Sequence, residues 1–264
     1  DGQFMWPSSG TVDSSGLLYF TDEHTDRITI FDTEGTFVDK WGVHGSQKGN
    51  LDTPSGIAFD IEDNLYVSDT YNNRVQKFTK DGQFIECFGS EGHDVGQFAL
   101  PWGVTVGGDG NVYVSDWGND RIQRFSPDGQ FLTSFGQHGR GDGEFYRPAG
   151  VAVDQEGYIY IADWGNNRVQ VLDPEGGFVV KLRGEATLSV WAENFLESNV
   201  EEGMARSKAN LEPEVKFFND DSHEESSHIE KYFWAPLSVR LDDTGRLYVT
   251  DSNRHRIQVY QRGN

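Results

Sequence analysis

Cysteine is nearly absent from this chain, with one residue, Cys87, in 264. A lone thiol makes no internal disulfide, so the fold must be held by packing and hydrogen bonds. Its setting, Phe84-Ile85-Glu86-Cys87-Phe88, is that of a small core residue and not of a nucleophile. Long hydrophobic runs are missing too. No stretch of 18 or more residues is apolar and mean hydropathy is −0.61, so no membrane-spanning helix is expected. Basic residues are scarce: 22 Lys and Arg stand against 43 Asp and Glu, a net charge of −21. A field of that sign repels phosphate backbones and argues against nucleic acid as a ligand.

What the chain has in plenty is glycine, 31 residues, and a unit that recurs five times. Asp22, Asp69, Asp116, Asp163 and Asp251 each end an apolar run, and each is followed five residues later by Arg27, Arg74, Arg121, Arg168 or Arg256. Each also lies 15 residues after a proline, Pro7, Pro54, Pro101, Pro148 or Pro236. The first four aspartates are 47 residues apart (69−22, 116−69, 163−116). Within one unit, 56–60, 65–68, 74–78 and 84–89 read as short strands, separated by turn sequences such as Lys80-Asp81-Gly82. Four antiparallel strands per roughly 45 residues is the size of a propeller blade. Period-two alternation broken by Asp-Gly and Pro excludes a helical solenoid.

The pattern Pro-x-Gly-Val-x-Val…Gly-x-x-Tyr-Val-x-Asp-x-x-Asn-x-Arg-Val/Ile-Gln-x-Phe resembles the NHL repeat, over residues 3–183 and 234–261. Asn72, Asn119 and Asn166 fill the family's asparagine position, while Thr25 and Arg254 depart from it. The resemblance implies an all-β NHL-type propeller of four-stranded antiparallel blades, a single domain over 1–264, with the five Asp–Arg pairs as structural fasteners. It also implies a six-bladed parent, of which five repeats are recognisable here. Asp1-Gly2-Gln3-Phe4-Met5-Trp6-Pro7 matches the tail of an internal linker, so the expectation is a parent truncated at its N-terminus, with the missing blade upstream. The last unit shows three strands, and a strand from elsewhere is expected to complete it.

The interval from Asp163 to Asp251 is 88 residues, 41 more than the repeat. The surplus, 184–233, reads as a helical, acidic insertion between the fourth and last repeats. Leu188, Trp191, Phe195 and Leu196 form a helical stripe expected to pack on the propeller, and 201–206 starts a second short helix. Residues 220–227 read as a mobile polar loop.

In such a fold the linkers and the turns after the repeat aspartates emerge on one face. That face carries Trp6, Trp102, Trp117, Trp164 and Trp234, five of the seven tryptophans, with Tyr71 and His24 beside them. The candidate ligand- or partner-binding residues are Tyr71, Trp102, Trp117, Trp164 and His24, facing a protein or a small molecule. No catalytic or metal-binding constellation stands out. His44, His93 and His138 sit on different units, and His223 and His228 are five residues apart where a zinc-protease helix needs four. The reading is therefore a non-catalytic binding or scaffold propeller without cofactor. The alternative is a lyase-, lactonase- or arylesterase-like propeller with calcium or zinc in its channel.

Overall fold

The computed structural model describes residues 2–213 and 221–261. They form five small antiparallel sheets, each built from strands consecutive in sequence. Blade 1 is β1 (Pro7–Val12), β2 (Leu18–Asp22), β3 (Arg27–Phe31) and β4 (Phe37–Trp41). Blade 2 is β5 (Pro54–Phe59), β6 (Asn64–Asp69), β7 (Arg74–Thr79) and β8 (Phe84–Phe88). Blade 3 is β9 (Pro101–Val106), β10 (Val112–Asp116), β11 (Arg121–Phe125) and β12 (Phe131–Phe135). Blade 4 is β13 (Pro148–Val153), β14 (Ile159–Asp163), β15 (Arg168–Leu172) and β16 (Phe178–Leu182). Blade 5 has three strands, β17 (Pro236–Leu241), β18 (Arg246–Asp251) and β19 (Arg256–Gln261).

In four of the five blades the turn between first and second strands is closed by its first residue's own side chain, Gly107 standing there in blade 3. Asp60 accepts the amides of Glu62 at 3.0 Å and Asn64 at 2.8 Å, and Asp13, Asp154 and Asp242 repeat the device. Middle strands such as β10 are buried on both faces because blades 2, 3 and 4 are each sandwiched between two others. Four apolar seams result. Ile28 and Ile30 pack on Ile57, Val67 and Phe78; Tyr66 and Val75 on Val104, Val114 and Phe125; Tyr113 and Ile122 on Val151, Ile161 and Leu172; Ala162 and Val169 on Phe233, Val239 and Val249. Each such aliphatic or aromatic side chain contributes about 1.5–3 kcal/mol by leaving water.

The series stops at both ends. Ile28, Val75, Ile122 and Val169 share one repeat position and are 0% exposed, whereas Ile257 in that position is 64% exposed. Phe98, Phe145 and Phe233 are 0% exposed, and Phe4 in their position is 37% exposed. Five blades are thus present among the described residues, against the six expected of a parent. The outer faces of blades 1 and 5 do not bury one another. Arg240 crosses between them near the axis, its Nη2 donating to Ser9 Oγ (3.3 Å), Gly10 O (3.4 Å) and Ile57 O (3.1 Å).

The insertion holds α1 (Val190–Ser198), α2 (Val200–Lys208) and α3 (Ser222–His228). Two expectations need correcting. Trp191 is 87% and Phe195 56% exposed, so the α1 stripe does not seat the insertion on the propeller. Polar anchors do that further along: Arg183 pairs with Glu225 at 2.6 Å, and Arg254 Nη2 donates to Ser226 O (2.7 Å) and Ile229 O (3.1 Å). Arg206 of α2 grips Glu230 through both Nη atoms, at 2.8 and 2.9 Å. The expected polar loop is instead helical over 222–228, because Asp221 caps it by accepting the amide of His223 at 2.9 Å. Asp220 lies outside the described residues.

Replacing Phe233 with Ala opens the blade 4–blade 5 seam and costs about 3–5 kcal/mol, whereas Trp191→Ala stays within about 0.5 kcal/mol. Urea unfolding of the two variants beside the parent chain measures both, and equal losses would refute the seating of the insertion described above.

Candidate functional site

Every blade is tied to its incoming linker by one buried carboxylate, and in blades 2 to 5 that carboxylate also holds the repeat arginine and glutamine. Asp69 accepts the Asp52 amide (2.6 Å), Asn72 Nδ2 (2.9 Å), Arg74 Nε (2.7 Å) and Gln76 Nε2 (2.9 Å). Arg74 then reaches three linker carbonyls, Ser46, Gln47 and Asn50. Asp116 and Asp163 repeat the set with Asn119, Arg121 and Gln123 and with Asn166, Arg168 and Gln170. Asp251 keeps the arginine Arg256 (2.8 Å) and Gln258 (3.2 Å). Burial pushes the Asp69 and Asp116 carboxyls up, and the linker amide, asparagine and arginine donors pull the other way.

The fifth expected pair is not closed in this way. Arg27 Nε has no hydrogen-bond partner and Nη2 turns to the Gln3 carbonyl; Thr29 stands where the other blades have glutamine. Asp22 compensates by accepting four amides, those of Met5, Trp6, His24 and Thr25.

These bonds bring the linkers and the turns after the aspartates to one face, and the aromatic residues stand on it unevenly. Trp117 and Trp164 begin the short 3₁₀ turns that follow Asp116 and Asp163. The same place in blade 2 is taken by Thr70, whose buried hydroxyl donates to Pro101 O at 2.8 Å. Tyr71 comes one residue later and is 61% exposed, so it is not the counterpart of the two tryptophans. The guanidinium of Arg147 lies 4.5 Å from the Trp117 ring and 5.3 Å from Tyr146, and the His138 ring meets Tyr146 edge-on at 5.4 Å. This His138–Tyr146–Arg147–Trp117 stack is a continuous amphipathic ledge.

His24 is exposed on blade 1, its amide bonded to Asp22 and its ring outside the ledge. Trp102 is half-buried and turns to the axis. Trp164 stays half-buried on its own blade. The structure therefore brings one of the five candidates, Trp117, into a shared cluster. Tyr146 was missed because the repeat carries Asp52 and Ala99 there; a ring beside an arginine just before Pro148 was the available signal. A second aromatic group forms over blade 5, where Trp234 Nε1 donates to His223 Nε2 (3.0 Å) beneath Arg254 (5.4 Å from the ring).

On the axis the five inner strands leave a cavity of about 30 Å³, lined by Ser8, Trp102, Ala149, Leu237 and Arg240 among others. That is room for a water and not for a substrate. Burial lowers the Arg240 pKa. At the position that Trp117 holds in its own blade stands Glu23, whose carboxyl is pushed up by burial against the pull of Ser8.

Among the described residues the linker histidines form no shared metal-spaced group: His44 bonds Asp26 of blade 1 (2.9 Å), while His93 and His138 bond the neighbouring blade 3 residues Asn119 (2.5 Å) and Asp120 (2.7 Å). Among the described residues one group has donor atoms spaced for a cation: those of Asp26, His44 and Asp52 lie within 4.8 Å of one another.

Comparison with known proteins comes to the same repeat. The NHL repeat model matches residues 51–78, 98–125, 145–172 and 233–260, the four units in which the repeat arginine and glutamine both reach the buried aspartate. A stretch of 58 residues is 42% identical to RING finger protein nhl-1 of Caenorhabditis elegans, covering 22% of this chain and 6% of that protein. A catalytically inactive virginiamycin B lyase from Staphylococcus aureus superposes with a TM-score of 0.58 at 14% identity, over 96% of this chain and 69% of that one. A chain of the nidogen/laminin complex does so with a TM-score of 0.58 at 16% identity, over 96% and 74%. At these identities the structural likenesses show the propeller fold.

Two outcomes test the site chemistry. Asp116→Ala leaves the Arg121 guanidinium without its carboxylate and costs about 3–5 kcal/mol in urea unfolding, against less than about 1 kcal/mol for Arg27→Ala. Glu23, with its folded pKa raised, opposes folding when ionised and is neutral in both states at low pH. Glu23→Gln therefore raises Tm at pH 7.5, and the gain vanishes at pH 3.5; a gain that persists in acid would contradict the burial of this carboxyl.

Proposed function

Because this chain belongs to the NHL-repeat family of β-propellers, we propose that it works as a non-catalytic binding scaffold whose loop face receives a protein partner. The observation that carries the reading is the ledge of Trp117, Arg147, Tyr146 and His138, set on a frame that is otherwise repeated from blade to blade. Stacked aromatic and guanidinium groups at a rim supply large contact area at small entropic cost, which is what interface hot spots need. Tyr71 on the neighbouring blade and Trp234 over blade 5 extend the same face. The narrow axis supports binding on the rim, since about 30 Å³ accepts no organic substrate. The propeller of the nidogen/laminin complex, similar in fold, offers a precedent for a protein-binding role.

The net charge of −21 selects partners with a basic or neutral face and speeds their approach at low salt. Affinity capture with the parent chain, compared with Trp117→Ala, Arg147→Ala and Tyr71→Ala, tests the reading. Each face variant should lower retention of the captured partner at least about tenfold, the loss expected of a hot-spot residue. Trp191→Ala on the insertion should leave it unchanged. Partners retained equally by all four variants would refute the loop face as the binding surface.

A further inference from the structure

Away from the ledge, the junction of blades 1 and 2 brings three metal-ligating side chains together from separate parts of the chain. Asp26 lies in the turn after β2, and His44 and Asp52 belong to the linker into blade 2; one donor atom from each lies within 4.8 Å of the other two. The frame beneath them is shared with the other blades. The Thr53 amide donates to Asp26 Oδ1 at 2.7 Å, as the amides of Leu100, Arg147 and Ala235 do to Asn73, Asp120 and Asn167. His44 bridges to Leu51 as Glu91 does to Phe98 and His138 to Phe145. An asparagine makes the turn's bond in two of these blades, so the bond itself does not require the charge of Asp26.

The sister junctions show what has been added. Between blades 3 and 4 the Asp120–His138 pair recurs at 2.7 Å, but Tyr146 takes the third place; between blades 2 and 3 the three places hold Asn73, Glu91 and Ala99. A histidine–aspartate pair is therefore not peculiar to the first junction, whereas the second carboxylate, Asp52, is. Its main chain is fixed on both sides, the amide donating to Asp69 (2.6 Å) and the carbonyl accepting from the Tyr71 amide (3.2 Å). The Asp26 side chain is 15% exposed and Asp52 is half-buried, and among the described residues neither carboxylate pairs with a lysine or arginine. Two carboxylates so placed repel each other, and partial burial weakens the screening by water. A cation between them turns that repulsion into attraction.

We infer that Asp26, His44 and Asp52 form a binding site for a first-row divalent cation, which ties the turn of blade 1 to the linker beside Tyr71. His44 Nδ1 and Asp26 Oδ2 are 2.9 Å apart. Neighbouring ligands of an octahedral ion bound at about 2.1 Å are separated by about 3 Å, so this pair is already at ligand spacing. The Asp52 carboxyl completes the set by a swing of about 1–2 Å. Binding exchanges the hydrogen bond between Nδ1 and Asp26 for two bonds to the ion and leaves the imidazole proton on Nε2 of a ring that is 69% exposed. One imidazole with two carboxylates suits Mn²⁺ or Zn²⁺ better than Ca²⁺, which takes oxygen ligands.

The test is calorimetric titration of the full chain, stripped with a chelator, with MnCl₂, ZnCl₂ and CaCl₂, together with Mn²⁺ broadening of its amide NMR signals. Mn²⁺ or Zn²⁺ should bind one ion per chain and saturate below about 0.1 mM, with Ca²⁺ at least about tenfold weaker. Broadening should be strongest around His44, Asp52 and Tyr71. Asp26→Asn and Asp52→Ala copy the sister residues Asn73 and Ala99, so both should fold as the parent does and weaken the ion at least about tenfold. His138→Ala, which breaks the pair that lacks a third donor, should leave affinity unchanged. No saturable binding up to about 1 mM, undiminished affinity in Asp52→Ala, or broadening centred on the acidic insertion would overturn the inference. The broadening is mapped on the unaltered chain, so it decides the matter even where a variant folds poorly.

Discussion

The buried aspartate at the end of each second strand is the interaction on which the rest of the molecule depends. One carboxylate collects a linker amide, an asparagine, an arginine and a glutamine, and the arginine passes the connection on to the linker carbonyls. A linker rich in glycine would otherwise leave polar backbone groups unpaired against the core, at a cost of about 1–3 kcal/mol each. With those groups satisfied, the linker aromatic Phe98 or Phe145 is driven into the seam between blades. Electrostatics at the loop end and apolar packing along the seam are thus coupled: the first sets the depth at which the second can form.

That coupling explains why the loop face can vary. Once the carboxylate fixes both ends of each turn, the side chain of the residue that begins the turn is not part of that fastening. It is Glu23, Thr70, Trp117, Trp164 or Ser252 in successive blades. The residue two before the proline varies as widely, from Asp52 and Ala99 to Tyr146 and Trp234, because its side chain is not part of the fastening; its amide is. A constant frame with freely chosen side chains at the rim is how a repeat fold acquires a site without losing stability.

The fold was legible in the sequence to the degree that it is periodic. Strand positions in the blades, the shared loop face and the fastening role of four aspartates all follow from a unit that recurs along the chain, at 47-residue intervals from Asp22 to Asp163. What failed was non-periodic. The α1 stripe of Trp191 and Phe195 has the spacing of a packed helix, yet it faces solvent because salt bridges elsewhere decide how the insertion sits. Tyr71 was grouped with Trp117 by proximity to an aspartate, when the register places Thr70 there and turns Tyr71 outward. The ledge itself joins His138, Tyr146 and Arg147 of one linker to Trp117 of the preceding blade, and the Arg147–Trp117 contact spans about 30 residues, which no local pattern encodes.

Repetition also separates drift from specialisation, because each blade serves as a control for the others. Blade 1 has lost the arginine–glutamine half of its fastening, but Asp22 recovers the lost bonds from four backbone amides, so the change is offset within the same network. It needs no functional explanation. The ledge beside blade 3 is different: its arginine, Arg147, stands where the other linkers have Trp6, Thr53, Leu100 and Ala235, and the underlying bonds stay intact. An unforced addition of this kind marks a position shaped by something other than the fold, and in this propeller it falls on the rim of the loop face.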